Sequence, residues 1–267
     1  MRIQVLDHGY VEYIESWGSD ERIVEAARMS SGKGFIDWLP YKRCSGCYLV
    51  HILDAEDSSL CHENLAHTWV KYPRGDVGLL KYLMDNRHET PFEMAGMIIE
   101  VQAPIMVFRE WHRHRTQSYN EMSARYTPLP DVNYMPTVER CLIVNGANKQ
   151  ANAAQGADQL THESALEWLA KLAAVYEHAE EVYQDGLRRG IPKEVARLPV
   201  PVGRYSRMRA SANLRNLLAF LTLRSDCVPS GRAAQHEIRQ FANVLGDLIA
   251  AKFPRTYDLF VKRKAAQ

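Results

Sequence analysis

The sequence predicts an α+β domain, and three observations carry that prediction. Segments with strand alternation and segments with helical spacing are interspersed without a regular βαβ rhythm. No GxGxxG string follows a candidate strand, so neither a Rossmann fold nor a P-loop is supported. The chain has 267 residues, 46% hydrophobic and 24% charged, enough for a substantial core in one large domain or two small ones.

The elements follow in chain order. Ile3 and Val5, then Tyr10 to Ile14, alternate around Asp7-His8-Gly9, which predicts a hairpin. Ser19 or Asp20 can cap a helix running through Ile23, Ala26 and Ala27 to about Ser30. Residues 31–75 mix Gly, Pro, Cys and His and read as irregular. Asp76 then opens a second helix with Leu79, Leu80 and Leu83 on one face. AGMIIEVQA, residues 95–103, alternates as a strand. Pro104 suits the first turn of a helix that places Arg109 and Arg113 one turn apart. Residues 130–160 are turn-rich. A long amphipathic helix through Leu166, Leu169, Ala173, Tyr176 and Tyr183 runs until Gly190 and Pro192 stop it. Residues 205–212 suit a strand. Asn213 starts a helix with Leu217, Leu218 and Leu221, and another helix runs from about Ala233 to Phe253.

Composition narrows the function. The net charge is +1, which offers no global basic field for nucleic acid or an acidic membrane surface. Locally concentrated basic residues therefore point to a small anionic ligand. No apolar run is long enough to span a bilayer, and Arg2 is not followed by a signal-peptide apolar region. Five cysteines, an odd number, argue against a secreted disulfide framework, so a cytoplasmic protein is expected.

One stretch stands apart. RHRTQSYNEMSARY, Arg113 to Tyr126, gathers guanidinium, amide and hydroxyl groups with little apolar surface. Arg109, Arg113, Arg115 and Arg125 fall within seventeen residues, with Ser118, Asn120 and Ser123 beside them. Arginine forks match phosphate, carboxylate or the edge of a pyrimidine ring, and a nucleotide needs such a mixture. Composition alone equally describes a solvated, salt-bridged loop.

The string itself is more specific. Arg113-His114-Arg115, seven residues, then Ser123 is an RHR-x7-S motif, preceded within it by Asn120-Glu121 and followed by Arg125-Tyr126. His88-Glu89-Thr90-Pro91-Phe92-Glu93 precedes it. Arg197, Tyr205, Asn213-Leu214-Arg215, Phe220-Leu221, Leu223-Arg224 and Gln235-x-Glu237-Ile238 follow in order. These segments together resemble the flavin-dependent thymidylate synthases, the ThyX family. The resemblance covers most of the chain outside residues 35–75.

The resemblance implies a mainly antiparallel twisted sheet flanked by helices, of the thymidylate synthase-complementing protein type. It implies one domain over residues 1–267, with a family-atypical insertion at about 35–75. It further implies C5 methylation of dUMP to dTMP, with 5,10-methylenetetrahydrofolate as carbon donor, NADPH-reduced FAD as electron source and tetrahydrofolate as the released folate. A homotetramer is implied, with no nucleic acid or membrane partner. Arg224 and Ser123 are the implied catalytic residues: Arg224 lies against the uracil edge and stabilises charge developing on the ring. Ser123 acts as a binding group, because no dedicated base is evident to make it a nucleophile. Glu110, Arg113, Glu121, Ser123, Ala124, Arg125, Arg197 and Arg224 are implied for the substrate. His88, Thr90, Arg113, His114, Arg115, Glu121, Asn213, Arg215 and Ala219 are implied for FAD.

Four features depart from the family pattern. Glu110 stands where some members have Gln, and needs a partner such as Arg109 or Arg113 if a phosphate lies near. Met94 stands where His is frequent, and Ala219 where a side-chain flavin contact is usual. Cys227 to Arg232 looks like a short insertion. Cys227 shows no resemblance to the nucleophile motif of the cysteine-dependent thymidylate synthases. It and Cys141 read as packing or loop residues. Within 35–75, Cys44, Cys47, His51, Cys61, His62 and His67 are zinc-ligand types. The second half lacks a paired spacing, so these read as reduced thiols and no metal is expected. Two alternatives stay open. One is a related C5 modification, UMP methylation or dUMP hydroxymethylation, motivated by Glu110 and Ala219. The other is a non-catalytic nucleotide- or RNA-binding protein, which neutral net charge and the flavin segments oppose.

Overall fold

A computed structural model describes residues 1–45, 50–52, 68–143, 160–229 and 233–266. Its strands are β1 (Arg2–Val5), β2 (Gly9–Trp17), β3 (Tyr41–Cys44), β4 (Val50–Ile52), β5 (Trp69–Tyr72), β6 (Gly96–Pro104), β7 (Ser118–Glu121) and β8 (Tyr205–Asn213). Its helices are α1 (Asp20–Arg28), α2 (Val77–Asp85), α3 (Ile105–Trp111), α4 (Val138–Leu142), α5 (His162–Arg188), α6 (Lys193–Ala196), α7 (Leu214–Arg224), α8 (His236–Lys252) and α9 (Pro254–Ala265). The fold is α+β. Among the described residues no helix is long and apolar enough to cross a membrane.

The chain divides into two compact units. The first comprises Met1–Glu15, Ile98–Ala212 and Phe220–Gly246; the second comprises Ser16–Met97, Asn213–Ala219 and Asp247–Gln267. The five-stranded sheet, in the order β1-β2-β6-β8-β7, belongs largely to the first unit. β1 and β2 pair antiparallel, as do β7 and β8. The β1–β2 hairpin is as predicted, with Leu6 at φ 59° in its turn. Gly9 is required there, since a Cβ would stand 2.6 Å from the Val5 carbonyl oxygen and 2.8 Å from the Phe241 ring. The Asp7 carboxylate braces the turn, accepting from Tyr205 Oη (2.5 Å) and the Met135 N–H (3.0 Å). Val11, Ile99, Val101, Phe108, Trp111 and Phe241 are fully or almost fully buried in this unit.

In the second unit Ser19 caps α1, its hydroxyl accepting from the Arg22 N–H. Asp20 does something different. Its buried carboxylate accepts from the N–H groups of Arg255 (2.8 Å) and Thr256 (3.2 Å) and from Thr256 Oγ1 (2.6 Å), capping α9 from 236 residues away. Asp76 precedes α2 as expected, yet makes no cap hydrogen bond. It is fully buried instead, paired with Arg28 at 2.5 Å and accepting from Tyr41 Oη at 2.8 Å. Burial, and then Asp76, push the Tyr41 phenol up to about 12.

Four expectations are corrected. Residues 31–75 are not wholly irregular: they contain a three-stranded antiparallel sheet, β4-β3-β5. Its strands are three or four residues long, too short for alternation to reveal. Helix α3 ends at Trp111, before Arg113, because the Arg113 N–H turns back to the Glu110 carbonyl (3.2 Å). The C-terminal helix is followed, after Phe253, by a second one, α9. Short α4 lies in the stretch 130–160 that reads as turn-rich, and short α6 in a stretch for which no element is expected. Of the zinc-type residues, Cys44 is buried in β3, whereas Cys47, Cys61, His62 and His67 lie outside the described residues. Among the described residues no cluster of three or more potential metal ligands occurs.

Candidate active site

In the first unit the RHR segment is the chain leaving α3. Its shape is set by aromatic packing beneath it. Trp111 stacks on Phe220 with ring centroids 4.6 Å apart, and the His114 ring stands edge-on to Phe220 at 4.8 Å. Tyr119 Oη donates to the His114 carbonyl (2.7 Å) and is 3.2 Å from that of Trp111, which satisfies carbonyls left open at the helix end. This places His114 inward, half-buried, and leaves Arg113 and Arg115 exposed. Trp111 Nε1 donates to Gln117 Oε1 (3.2 Å), while Gln117 Nε2 is buried without a partner.

Arg224, the last residue of α7, meets that turn. Its Nε donates to His114 Nε2 (3.1 Å) and its Nη1 to Glu110 Oε2 (2.9 Å). Burial, and then the Arg224 charge, push the His114 pKa down to about 4. His114 is therefore neutral, accepts at Nε2 and carries its proton on Nδ1. Burial pushes the Glu110 carboxyl up; Arg224 opposes the shift and Glu237 adds to it. Sequence reasoning named Arg109 or Arg113 as the partner for Glu110, and the partner is Arg224 instead. Burial also pushes Glu237 up, but Arg140 (2.6 Å) and Gln235 (2.8 Å) donate to it and the net shift is downward.

Some of the other substrate-type residues share a cavity. A cavity of about 370 Å³ is lined by Arg109, Glu121, Ala124 and Arg197, together with His112 and Ser206. Arg109 and Arg197 are exposed and, like Arg113 and Arg115, form no ion pair among the described residues. Arg125 is exposed and lies 3.4 Å from Glu194. Ser123 Oγ accepts from the Arg125 N–H (3.3 Å) and the Ser123 carbonyl from the N–H groups of Tyr126 and Thr127. Among the described residues no histidine or carboxylate hydrogen-bonds to Ser123 Oγ. A larger cavity, about 520 Å³, lined by Tyr134, Arg140, Trp168 and Gln235, contains none of the sequence-predicted site residues.

The second unit holds the remaining flavin-type residues. Arg215 pairs with Glu89 at 2.5 Å and lies 3.7 Å from Glu93. Asn213 Oδ1 accepts from the Asn216 N–H (2.9 Å), capping α7 and leaving its amide nitrogen to other partners. Thr90 opens a short 3₁₀ turn over Thr90–Met94, His88 lies edge-on to Tyr82 at 5.5 Å, and Ala219 is exposed. Met94 is also exposed. Cys227 is tied to its surroundings: its N–H donates to Ser225 Oγ (3.2 Å), which donates to Asn243 (2.9 Å). Residues 230–232 of the apparent insertion lie outside the described residues. Sequence reasoning gave no supporting role to Trp111, Tyr119 or Phe220: Tyr119 and Phe220 stand within the quoted segments and Trp111 just before Arg113, with aromatic character as their signal.

Known proteins resemble this chain along nearly its whole length. The chain matches the family described as "Thymidylate synthase complementing protein" over residues 12–255. It is 32% identical over 262 residues to a flavin-dependent thymidylate synthase of Thermosipho africanus, covering 98% of this chain and 95% of the relative. It is 34% identical over 260 residues to that of Wolbachia pipientis, covering 97% and 76%. Among solved structures, the UMP/dUMP methylase PolB of Streptomyces cacaoi bound with 5-Br UMP is similar with a TM-score of 0.72. That pair shares 29% identity over 99% of this chain and 98% of the other.

Proposed function

The chain belongs to the thymidylate synthase complementing protein family, the flavin-dependent thymidylate synthases, and from that premise we propose that it converts dUMP to dTMP. The donors are 5,10-methylenetetrahydrofolate for carbon and NADPH for electrons. The observation that carries the reading is the Arg224 guanidinium, fixed by Glu110 and neutral His114 at the turn of the RHR motif. Of its five N–H groups, two serve those neighbours, which leaves three for a ligand.

The residues present fit a flavin nucleotide. The exposed guanidinia of Arg113 and Arg115, without ion pairs among the described residues, suit a pyrophosphate, and Gln117 Nε2 is a buried donor awaiting an acceptor. His88, Thr90, Asn213, Arg215, Ala219, His114 and Glu121 are proposed to hold the remainder. FAD supplies the electrons that bring the transferred carbon to the methyl level. The chain's own work is electrostatic. Arg224 holds negative charge on the uracil ring as N3 loses its proton, which makes C5 the nucleophile toward the carbon donor. Arg113, Arg125 and Arg197 hold phosphate and base, Glu121 and Ala124 line the same side, and Ser123 completes the grip. The exposed apolar residues Trp168, Val175 and Val182 of α5 support self-association, proposed as a homotetramer. The chain is proposed to work as a single synthase domain.

A second reading has its own support. PolB, described as a UMP/dUMP methylase, is similar along nearly the whole chain, so UMP is a competing substrate. The test is mass analysis of the nucleotide after anaerobic incubation with FAD, NADPH and methylenetetrahydrofolate, with dUMP and UMP in separate tubes. Gain of one methylene on dUMP alone supports thymidylate synthesis. The same gain on UMP supports the second reading, and no gain on either rejects both.

A further inference from the structure

Stabilising an N3 anion leaves a question that Arg224 cannot answer, namely where the proton goes. A guanidinium is always charged and has no acceptor. Two groups are bonded to it. His114 is unsuited, because its Nε2 lone pair is already engaged by Arg224 and its depressed pKa makes it a weak base. Glu110 is suited. Its Oε2 shares the guanidinium at 2.9 Å, and its side chain is 29% exposed, against 20% for Arg224, so a ligand can approach both.

We propose that Glu110 is the base that takes the N3 proton of the uracil ring. The inference rests on the nucleotide reading above and adds a catalytic residue to it. In the step, the N3–H bond breaks and an O–H bond forms on the Glu110 carboxylate. The electron pair stays on the ring, spread over N3, O2 and O4. Arg224 then exchanges one counter-ion for another, the carboxylate for the ring, so no isolated charge is created at any stage. No oxidant or reductant is involved. The charged and titratable groups facing Glu110 are Arg224 and, through it, His114, with Glu237 on α8, itself paired with Arg140. Burial raises the Glu110 pKa and so strengthens it as a base.

A shared proton has a diagnostic behaviour. Exchange between N3 and Glu110 does not change the total number of bound protons, so the ionised fraction of the ring is independent of pH until the pair loses its proton. The experiment is ¹⁵N NMR of dUMP labelled at N3, bound to the FAD-loaded protein, across roughly pH 6 to 8. The expected wild-type result is an N3 anion whose signal does not move with pH. In Glu110→Gln, dUMP is expected to bind with a protonated N3 that titrates with pH, and turnover to fall by about 100-fold or more with little change in KM. Glu110→Asp should restore part of both. Retention of the flavin's visible spectrum reports that each variant is folded. The proposal is overturned if wild-type dUMP keeps its N3 proton, or if Glu110→Gln ionises bound dUMP as the wild type does. Failure of wild-type protein to bind dUMP at all would instead reject the nucleotide reading, and this inference with it.

Discussion

Replacing Asp20 by alanine isolates the attachment of α9. The residue is 4% exposed, and its carboxylate accepts three hydrogen bonds from the first turn of that helix. Helix α9 has no side-chain cap of its own, with Phe253 at the N-cap position. The substitution leaves two helix-terminal N–H groups and the Thr256 hydroxyl without their acceptor, and Thr256 is fully buried. A lost cap costs about 1 kcal/mol. Each buried donor left unmet costs about 1–3 kcal/mol. Relief of burying the carboxylate, which raises its pKa, offsets part of this. A net loss of about 3 kcal/mol is expected. Urea unfolding at neutral pH, followed by far-UV circular dichroism, reads it directly. With an m-value of about 2 kcal/mol/M, the midpoint falls by about 1.5 M. A midpoint within about 0.3 M of wild type, at unchanged m-value, would refute the capping argument.

Three further outcomes are expected. Since the folded-state pKa of His114 lies at about 4, below its ordinary 6.5, the unfolded chain binds that proton first as pH falls. Its contribution is intact above about 6.5 and is lost toward 4, up to about 3 kcal/mol; a His114→Gln protein with the same pH slope between those values would contradict this. Tyr119→Phe removes the hydroxyl that holds two carbonyls and should cost about 1 kcal/mol. The same change should weaken flavin retention on gel filtration, and unaltered retention would separate that turn from the cofactor. Arg224→Lys keeps the charge and loses the planar fork that reaches Glu110 and His114 together. Turnover should fall about 10²–10³-fold without loss of helix content, and near-normal turnover would remove Arg224 from the chemistry.

Local sequence rules read the hairpin, α1, α5 and the strand over Gly96–Pro104 because each is fixed by neighbours in the chain. Alternation, a Ser19 cap and a Gly-Pro stop are local signals. Asp20 and Asp76 expose the limit of such rules. Both stand where a helix begins, and both look like caps; their carboxylates are spent on partners far away in sequence. The same limit applied at the site. Glu110 was legible as an oddity needing a cation, yet the choice of Arg224 over nearby Arg109 depends on where α7 ends. Motif reading supplied the arginines but not the aromatic floor of Trp111 and Phe220, since stacking on a distant ring leaves no spacing pattern. The small sheet over 41–72 escaped notice because its strands, three or four residues each, give too few alternating positions to stand out.

The distance between Asp20 and its helix has a consequence for the protein's birth. A ribosome adds roughly 5–20 residues per second, so the 236 positions separating Asp20 from Thr256 take about 10–50 s to make. During that interval the nascent N-terminal piece of the second unit lacks the segment that satisfies its buried acid. Translation must run into α9 before that piece can close. Stalled or prematurely terminated chains would thus be left open at this corner, where proteolytic surveillance can recognise them.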